Sequence, residues 1–331
     1  MMRAIICESW RDFAELEIKD VPRPALRPRS VRIKVAAAGV SFATQLVVAG
    51  KYQRKPPLPF TPGTEIVGTV LEAAPDADAP PPGTPVFAVV DWGGMAEEAI
   101  ADDIHTIAIP DGLPLEPAIA FPISYPTAGA ALLWRGRIKA GDWVLVHGAA
   151  GGVGLAAVEI AKACGAKVIA RAGAAKHAML RARGADAVLD SAAPFRDAVR
   201  AATGGRGVDC LVDTIGGPAF DESLRCLADG GNLVVVGFAG GGIPTLQTNI
   251  LLLKNIGVIG VNWGTYVGWS PGDGRRDHAA AARALWDQLM TWWQQGALKP
   301  EIHAAYPLEQ FREAMDEVSA RRSAGRVILR P

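Results

Sequence analysis

The chain has 331 residues, 50% of them hydrophobic, with 34 basic and 34 acidic side chains and no formal net charge. That length allows two domains with sizeable cores, and a high apolar fraction at zero net charge excludes disorder as the main state. The charge balance argues against a nucleic-acid protein, and no apolar run reaches the roughly 18 residues of a membrane span.

In chain order, the N-terminus (MMRAIICE) turns acidic by Glu8 and reads as neither a signal nor a transit segment. The four cysteines, Cys7, Cys164, Cys210 and Cys226, lie far apart with no CxxC, so a reducing, cytoplasmic location is expected. Residues 31–36 (VRIKVA) alternate apolar and polar, which predicts a half-buried strand. Prolines at 22, 24, 28, 56, 57, 59 and 62 forbid long helices around it. Residues 65–72 (EIVGTVLE) and 85–90 (PVFAVV) predict two more strands, separated by a turn rich in Pro, Asp and Ala. This part reads as a compact β-rich domain.

The pattern changes near Leu115. Strands are predicted at 143–147 (WVLVH), 167–170 (KVIA), 187–189 (AVL), 208–213 and 233–236, with helices at 154–164 and 176–183 between them. Strand alternating with helix predicts an α/β fold, a Rossmann-type, doubly wound parallel sheet with helices on both faces. A helix over about 278–295 follows, with Leu285, Leu289 and Trp292 on one face. The tail, 300–329, returns to strand, short helix and strand, and is expected to rejoin the first domain. The domains are thus read as 1–118 with 296–331, and 119–295.

The strongest local signal is HGAAGGVG at 147–154, after a strand and opening a helix, the setting a dinucleotide fingerprint requires. Gly151 and Gly152 let backbone N–H groups approach a pyrophosphate, the helix dipole starting near Val153 favours its charge, and Gly154 lets the helix pack closely on the strand. Ala149 stands where GxGxxG has its first glycine, so the match is to a variant form. An NAD site usually carries an acid at the end of the second strand. Here that stretch reads VIARAGAAK, without an acid and with Arg171 and Lys176, which favours the 2′-phosphate of NADPH.

On these residues the chain resembles the medium-chain dehydrogenase/reductase superfamily, and within it the zinc-free NADPH:quinone oxidoreductases related to zeta-crystallin. The likeness includes MRAIIC at 2–7, AAGVSF at 37–42, GKYQ at 50–53, PPLPFTPG at 56–63, DTIGG at 213–217, VVVGFA at 234–239 and NILLLKNIGVIGVNWG at 249–264. It implies a GroES-like fold for the β-rich catalytic domain. Zinc-dependent members place Cys and His where this chain has Ser41 and Thr64, and a four-cysteine lobe near 92–103, where there is no Cys. Neither Ser nor Thr is a usual zinc ligand, and His105 and His147 stand without a second ligand at metal spacing, so no metal site is expected.

The resemblance implies a zinc-independent oxidoreductase that passes hydride from NADPH to a quinone. The alternatives are reduction of an activated alkene, of alkenal, enone or acryloyl-CoA type, and a non-catalytic NADPH-binding role. Ser41 and Thr44 stand where the family usually has Asn and Asp. Tyr52 matches a tyrosine near the nicotinamide and is the leading substrate-side residue, with Thr127 matching a threonine there. Phe238 and Asn262 match residues lining the nicotinamide half. Residues 255–261 (NIGVIGV) are the last apolar run of the αβ series, which predicts a sheet edge with no guard side chain at Gly257 or Gly260. Pairing of that edge with a second copy closes with two-fold symmetry, and the resemblance implies such a homodimer.

Overall fold

The structure, a computed structural model, describes residues 1–331. The chain divides into two units, one of residues 1–123, 264–283 and 300–331, the other of 124–263 and 284–299. No helix is long and apolar enough to cross a membrane.

The first unit opens with an antiparallel pair, β1 (Met2–Ile6) and β2 (Glu17–Val21). Its main sheet starts with β3 (Ser30–Val40), whose alternating Val31, Ile33 and Val35 turn inward, as the period of two requires. Helix α1 (Phe42–Val48) follows directly. The antiparallel ladder continues through β4 (Glu65–Ala73), β5 (Pro85–Val89) and β7 (Thr106–Ala108), with β6 (Glu98–Asp102) paired to β3. Gly68 is required here, because a Cβ on it would lie 2.0 Å from the Lys34 carbonyl oxygen.

The second unit begins with α2 (Ser124–Gly129), which runs on as a π-helix over Ala130–Arg135. Then come β8 (Trp143–His147), α3 (Gly152–Ala163), β9 (Lys167–Ala172), α4 (His177–Ala182), β10 (Ala187–Asp190) and α5 (Arg196–Ala202). β11 (Val208–Asp213), α6 (Ala219–Cys226), β12 (Leu227–Val235), α7 (Asn249–Lys254) and β13 (Gly257–Gly260) complete the series. All strands are parallel, in the order β10-β9-β8-β11-β12-β13. The order reverses between β8 and β11, so the loops leaving the carboxyl ends of those strands form the crevice where open α/β sheets bind ligands. Sequence periodicity did not reveal α5 or α6. Both are short, and each buries one face on the sheet, with Val199, Phe220 and Leu224 joining the core.

β13 is the sheet edge, the place expected from its position in the series. The edge is not entirely bare, since Arg135 Nε donates to the Gly260 carbonyl oxygen at 2.9 Å.

Helix α8 (Ala279–Gln294) buries Leu285, Trp286 and Leu289. The tail supplies β14 (Ile302–Pro307), α9 (Phe311–Ser319) and β15 (Arg326–Arg330). β15 pairs antiparallel with β3, so the tail does rejoin the first sheet. Phe311 of α9 meets Phe13 edge-on at 5.6 Å in that unit's core. Residues 264–283 also group with the first unit, where the sequence reading had kept 119–295 together. The cause is electrostatic: Arg275 pairs with Asp91 and Asp102, and Arg276 with Asp103.

Candidate active site

Ser41 sits at the N-cap of α1 without capping a backbone N–H. Its hydroxyl instead meets that of Thr44 at 3.1 Å. A recess in the first unit is lined by Ser41, Thr44, Tyr52 and Thr64, with Phe60, Trp92 and Trp269 adding aromatic walls. Four positions singled out in the sequence, Ser41, Thr44, Tyr52 and Thr64, therefore meet in one place. Burial pushes the Tyr52 phenol above its ordinary value, which keeps it protonated and able to donate. No group of three or more His, Cys, Asp or Glu side chains in the molecule is placed to hold a metal ion.

Sequence reasoning missed Arg54, Asp91, Trp92 and Trp269 in this recess. Arg54 lies two residues from Tyr52 and was within reach of the same motif. Trp269 comes from a loop more than two hundred residues away, with no periodic pattern to mark it.

In the second unit the loop after β8 has the geometry of a phosphate cradle. Gly148 adopts φ +62°, and the Gly151 N–H donates back to the Gly148 oxygen at 2.9 Å. Gly151 is the N-cap of α3, and its own carbonyl accepts the Leu155 N–H at 2.8 Å. The N–H groups of Gly152, Val153 and Gly154 are thus first-turn donors with no place in the helical ladder. A Cβ on Gly154 would lie 2.1 Å from the Gly148 oxygen, so only glycine allows the helix to close on the loop. A Cβ on Gly151 would meet nothing nearer than that oxygen at 3.4 Å, which leaves the mouth of the loop open. A dinucleotide pyrophosphate fits this donor set. The Thr214 hydroxyl, donating to the His147 carbonyl at 2.9 Å, ties the loop to the neighbouring strand end.

β9 runs beyond the stretch read from the sequence and takes in Arg171. This arginine is buried, neither at an open strand end nor a solvated surface charge. Its Nη2 donates to the carbonyl oxygens of Ser191 and Ala193 at 2.5 and 3.3 Å, and its guanidinium lies over the Phe195 ring at 4.3 Å. Burial lowers its pKa from the ordinary value. Lys176 ends the short turn Ala174–Lys176 just past β9 and is half-buried. His147 is buried and neutral, its pKa pushed down to about 3 by burial, with Nε2 2.8 Å from the Ser223 hydroxyl. Thr127 is buried in α2. Phe238 follows β12 and packs on the Gly216 turn, where a Cβ would lie 2.8 Å from its ring. Asn262 is exposed just beyond β13. The loop, Arg171, Lys176, Phe238 and Asn262 all belong to the carboxyl edge of one sheet.

The chain is similar to known proteins over its whole length. It matches the alcohol dehydrogenase GroES-like domain family over residues 27–111 and the zinc-binding dehydrogenase family over residues 152–277. It is 40% identical over 331 residues to quinone oxidoreductase-like protein 2 of Rattus norvegicus, covering 99% of this chain and 91% of that one. It is 33% identical over 324 residues to the quinone oxidoreductase of Homo sapiens, covering 96% and 94%. Among solved structures, mycobacterial Rv1454c complexed with NADPH superposes with a TM-score of 0.91 at 30% identity, over all of both chains.

Proposed function

Because the chain belongs to the quinone oxidoreductase family of the medium-chain dehydrogenase/reductase superfamily, we propose that it reduces a quinone at the expense of NADPH without a metal. The carrying observation is the recess of the first unit, which offers hydroxyls and aromatic walls where zinc-dependent relatives place ligands. When bound, NADPH supplies the hydride that, with one proton, takes a quinone to its hydroquinone. The first-turn N–H groups of α3 hold the pyrophosphate. Phe238, Asn262 and Thr127 flank the nicotinamide half, and Tyr52 with the Ser41–Thr44 hydroxyl pair orients the acceptor's oxygen. The test is NADPH oxidation with benzoquinone, acrolein and crotonyl-CoA in turn, before and after dialysis against a strong chelator. Benzoquinone as the best acceptor, with full activity after dialysis, supports the reading. Turnover confined to the alkenes, or lost with the metal, overturns it.

The cofactor choice rests on Lys176. With Arg171 buried and its Nη2 held by Ser191 and Ala193, the 2′-phosphate contact falls to Lys176, and Arg171 contributes positive potential from within the sheet. Lys176→Ala is expected to weaken NADPH at least about tenfold while changing NADH about twofold or less, since a charge-assisted contact is worth roughly 1.5–3 kcal/mol. Titration of both cofactors against the variant checks this, and equal losses refute it. Arg171→Ala is expected to lower stability as well, because it removes the brace between β9 and the 191–193 turn.

The exposed edge supports a homodimer. The Val261 N–H donates inward to the Val235 oxygen, so by alternation the Val258 N–H faces the free edge. Leu252 and Leu253 of α7, just before that edge, are 79% and 77% exposed. Pairing of β13 with its copy satisfies the free N–H and C=O groups. Sedimentation is expected to show a dimer at micromolar concentration, and Val258→Pro to release monomers. A monomeric parent protein refutes the proposal.

A further inference from the structure

One wall of the recess carries a cation whose surroundings go beyond packing. Arg54 lines it, with its guanidinium 5.2 Å from the Trp92 ring centroid and 5.8 Å from that of Trp269. Its Nη2 lies 2.8 Å from Asp91 Oδ1, and its Nη1 donates to the Asp91 carbonyl oxygen at 3.3 Å. Asp91 is not the partner of Arg54 alone. The same carboxylate receives Arg275 Nη2 at 3.0 and 3.2 Å and has Arg27 at 3.6 Å.

The network extends further. Arg275 also pairs with Asp102 and Asp273, Arg27 and Arg276 with Asp102, and Arg276 and Arg29 with Asp103. Five guanidiniums, those of Arg27, Arg29, Arg54, Arg275 and Arg276, thus share four carboxylates. His105, buried against the network with its pKa pushed down to about 4, adds no charge at neutral pH. By ion pairs the group holds one more cation than anion, and Arg54, with the Asp91 carboxylate it pairs to, is the part of it that lines the recess. Aromatic rings over a guanidinium strip water from its faces and leave its edge donors directional. Trp269 Nε1, in the same wall, is buried without a hydrogen-bond partner.

We propose that this recess selects planar acceptors carrying an anionic oxygen group, such as a carboxylate, and that Arg54 is the residue that recognises it. The aromatic walls accept the flat ring, and the Arg54 edge with the Trp269 N–H takes the anion. The inference deepens the quinone-reductase reading and rests on it for the word acceptor.

The test is calorimetric titration with naphthoate and naphthamide, two unreactive planar probes of equal shape that differ in charge. The parent protein is expected to bind naphthoate at least about tenfold more tightly, the scale of one charge-assisted contact. Arg54→Gln is expected to bring the two affinities within about twofold of each other, and Arg54→Lys to restore part of the preference. Equal binding of both probes by the parent protein overturns the proposal, as does a preference that survives Arg54→Gln. Should Arg54→Gln fail to fold, the parent protein and Arg54→Lys still decide. Benzoquinone reduction by the parent protein, measured separately, reports on the quinone-reductase reading alone.

Discussion

Gly151→Asp is expected to abolish NADPH binding in a protein that folds as well as the parent. The position is the N-cap of α3, with φ −77° and ψ 171°, a conformation any residue adopts. A Cβ there has room, its nearest neighbour being the Gly148 oxygen at 3.4 Å. Aspartate is among the best N-cap residues, and its charge at a helix N-terminus stabilises by about 0.3–1 kcal/mol. The same carboxylate occupies the donors that would hold the pyrophosphate and repels its charge. Loss of two charge-assisted contacts, roughly 1.5–3 kcal/mol each, amounts to about two to four orders of magnitude in affinity. Gly151→Ala adds the Cβ without the charge and is expected to keep most of the affinity. Gly154→Ala is expected to do the opposite, disturbing the fold itself, because its Cβ would lie 2.1 Å from a backbone oxygen. Cofactor titration beside thermal unfolding of the three variants separates charge from space. Unchanged NADPH affinity in folded Gly151→Asp would show that the loop is only a turn.

Glu159→Ala is expected to produce the largest loss of stability. Glu159 is buried in α3 and accepts three donors: the Tyr125 hydroxyl at 2.6 Å, Arg183 Nη1 at 2.6 Å and the Lys299 backbone N–H at 3.0 Å. It ties α2, α4 and the chain end of the second unit to α3. Burial raises its pKa, while the Tyr125 hydroxyl, the Lys299 N–H and the Arg183 charge work in the other direction. Truncating one partner of such a buried pair costs about 3–5 kcal/mol. Glu159→Gln keeps the shape and an acceptor for the Tyr125 hydroxyl but loses the charge facing Arg183, so it is expected to fall between. Urea unfolding midpoints of the three proteins check this. A loss below about 1 kcal/mol for Glu159→Ala, the scale of an exposed pair, would show that water replaces the carboxylate.

The second unit was largely legible in the sequence because its signals are local. A parallel strand buried on both faces is a short apolar run, the helix after it shows its period within a dozen residues, and a phosphate loop is eight residues in a row. β8, α3 and β11 were found this way, and β13 could be placed at the sheet edge from its rank in the series. Even there, locality had limits. Arg171 reads as a free cation beside a loop, yet strand β9 carries it inside, where Phe195 and two carbonyls from the next turn surround it. Nothing within ten residues of Arg171 announces those partners.

The recess of the first unit lay beyond local reading because it is assembled from segments that the sequence scatters. Tyr52 and Arg54 come from one loop, Thr64 and Asp91 border β4 and β5, and Trp269 arrives from a stretch that the αβ pattern assigned to the other domain. What brings that stretch over is the pairing of Arg275 and Arg276 with Asp91, Asp102 and Asp103. An ion pair has no sequence period and depends on which charges the fold leaves close and poorly solvated. The amino-acid sequence by itself determined the β-rich unit, the parallel sheet and the glycine loop after β8, and it places Ser41 and Thr64 where zinc-dependent relatives carry Cys and His. The neighbours of Arg54 were decided only when long-range pairing brought Asp91, Asp102 and Asp103 to Arg275 and Arg276.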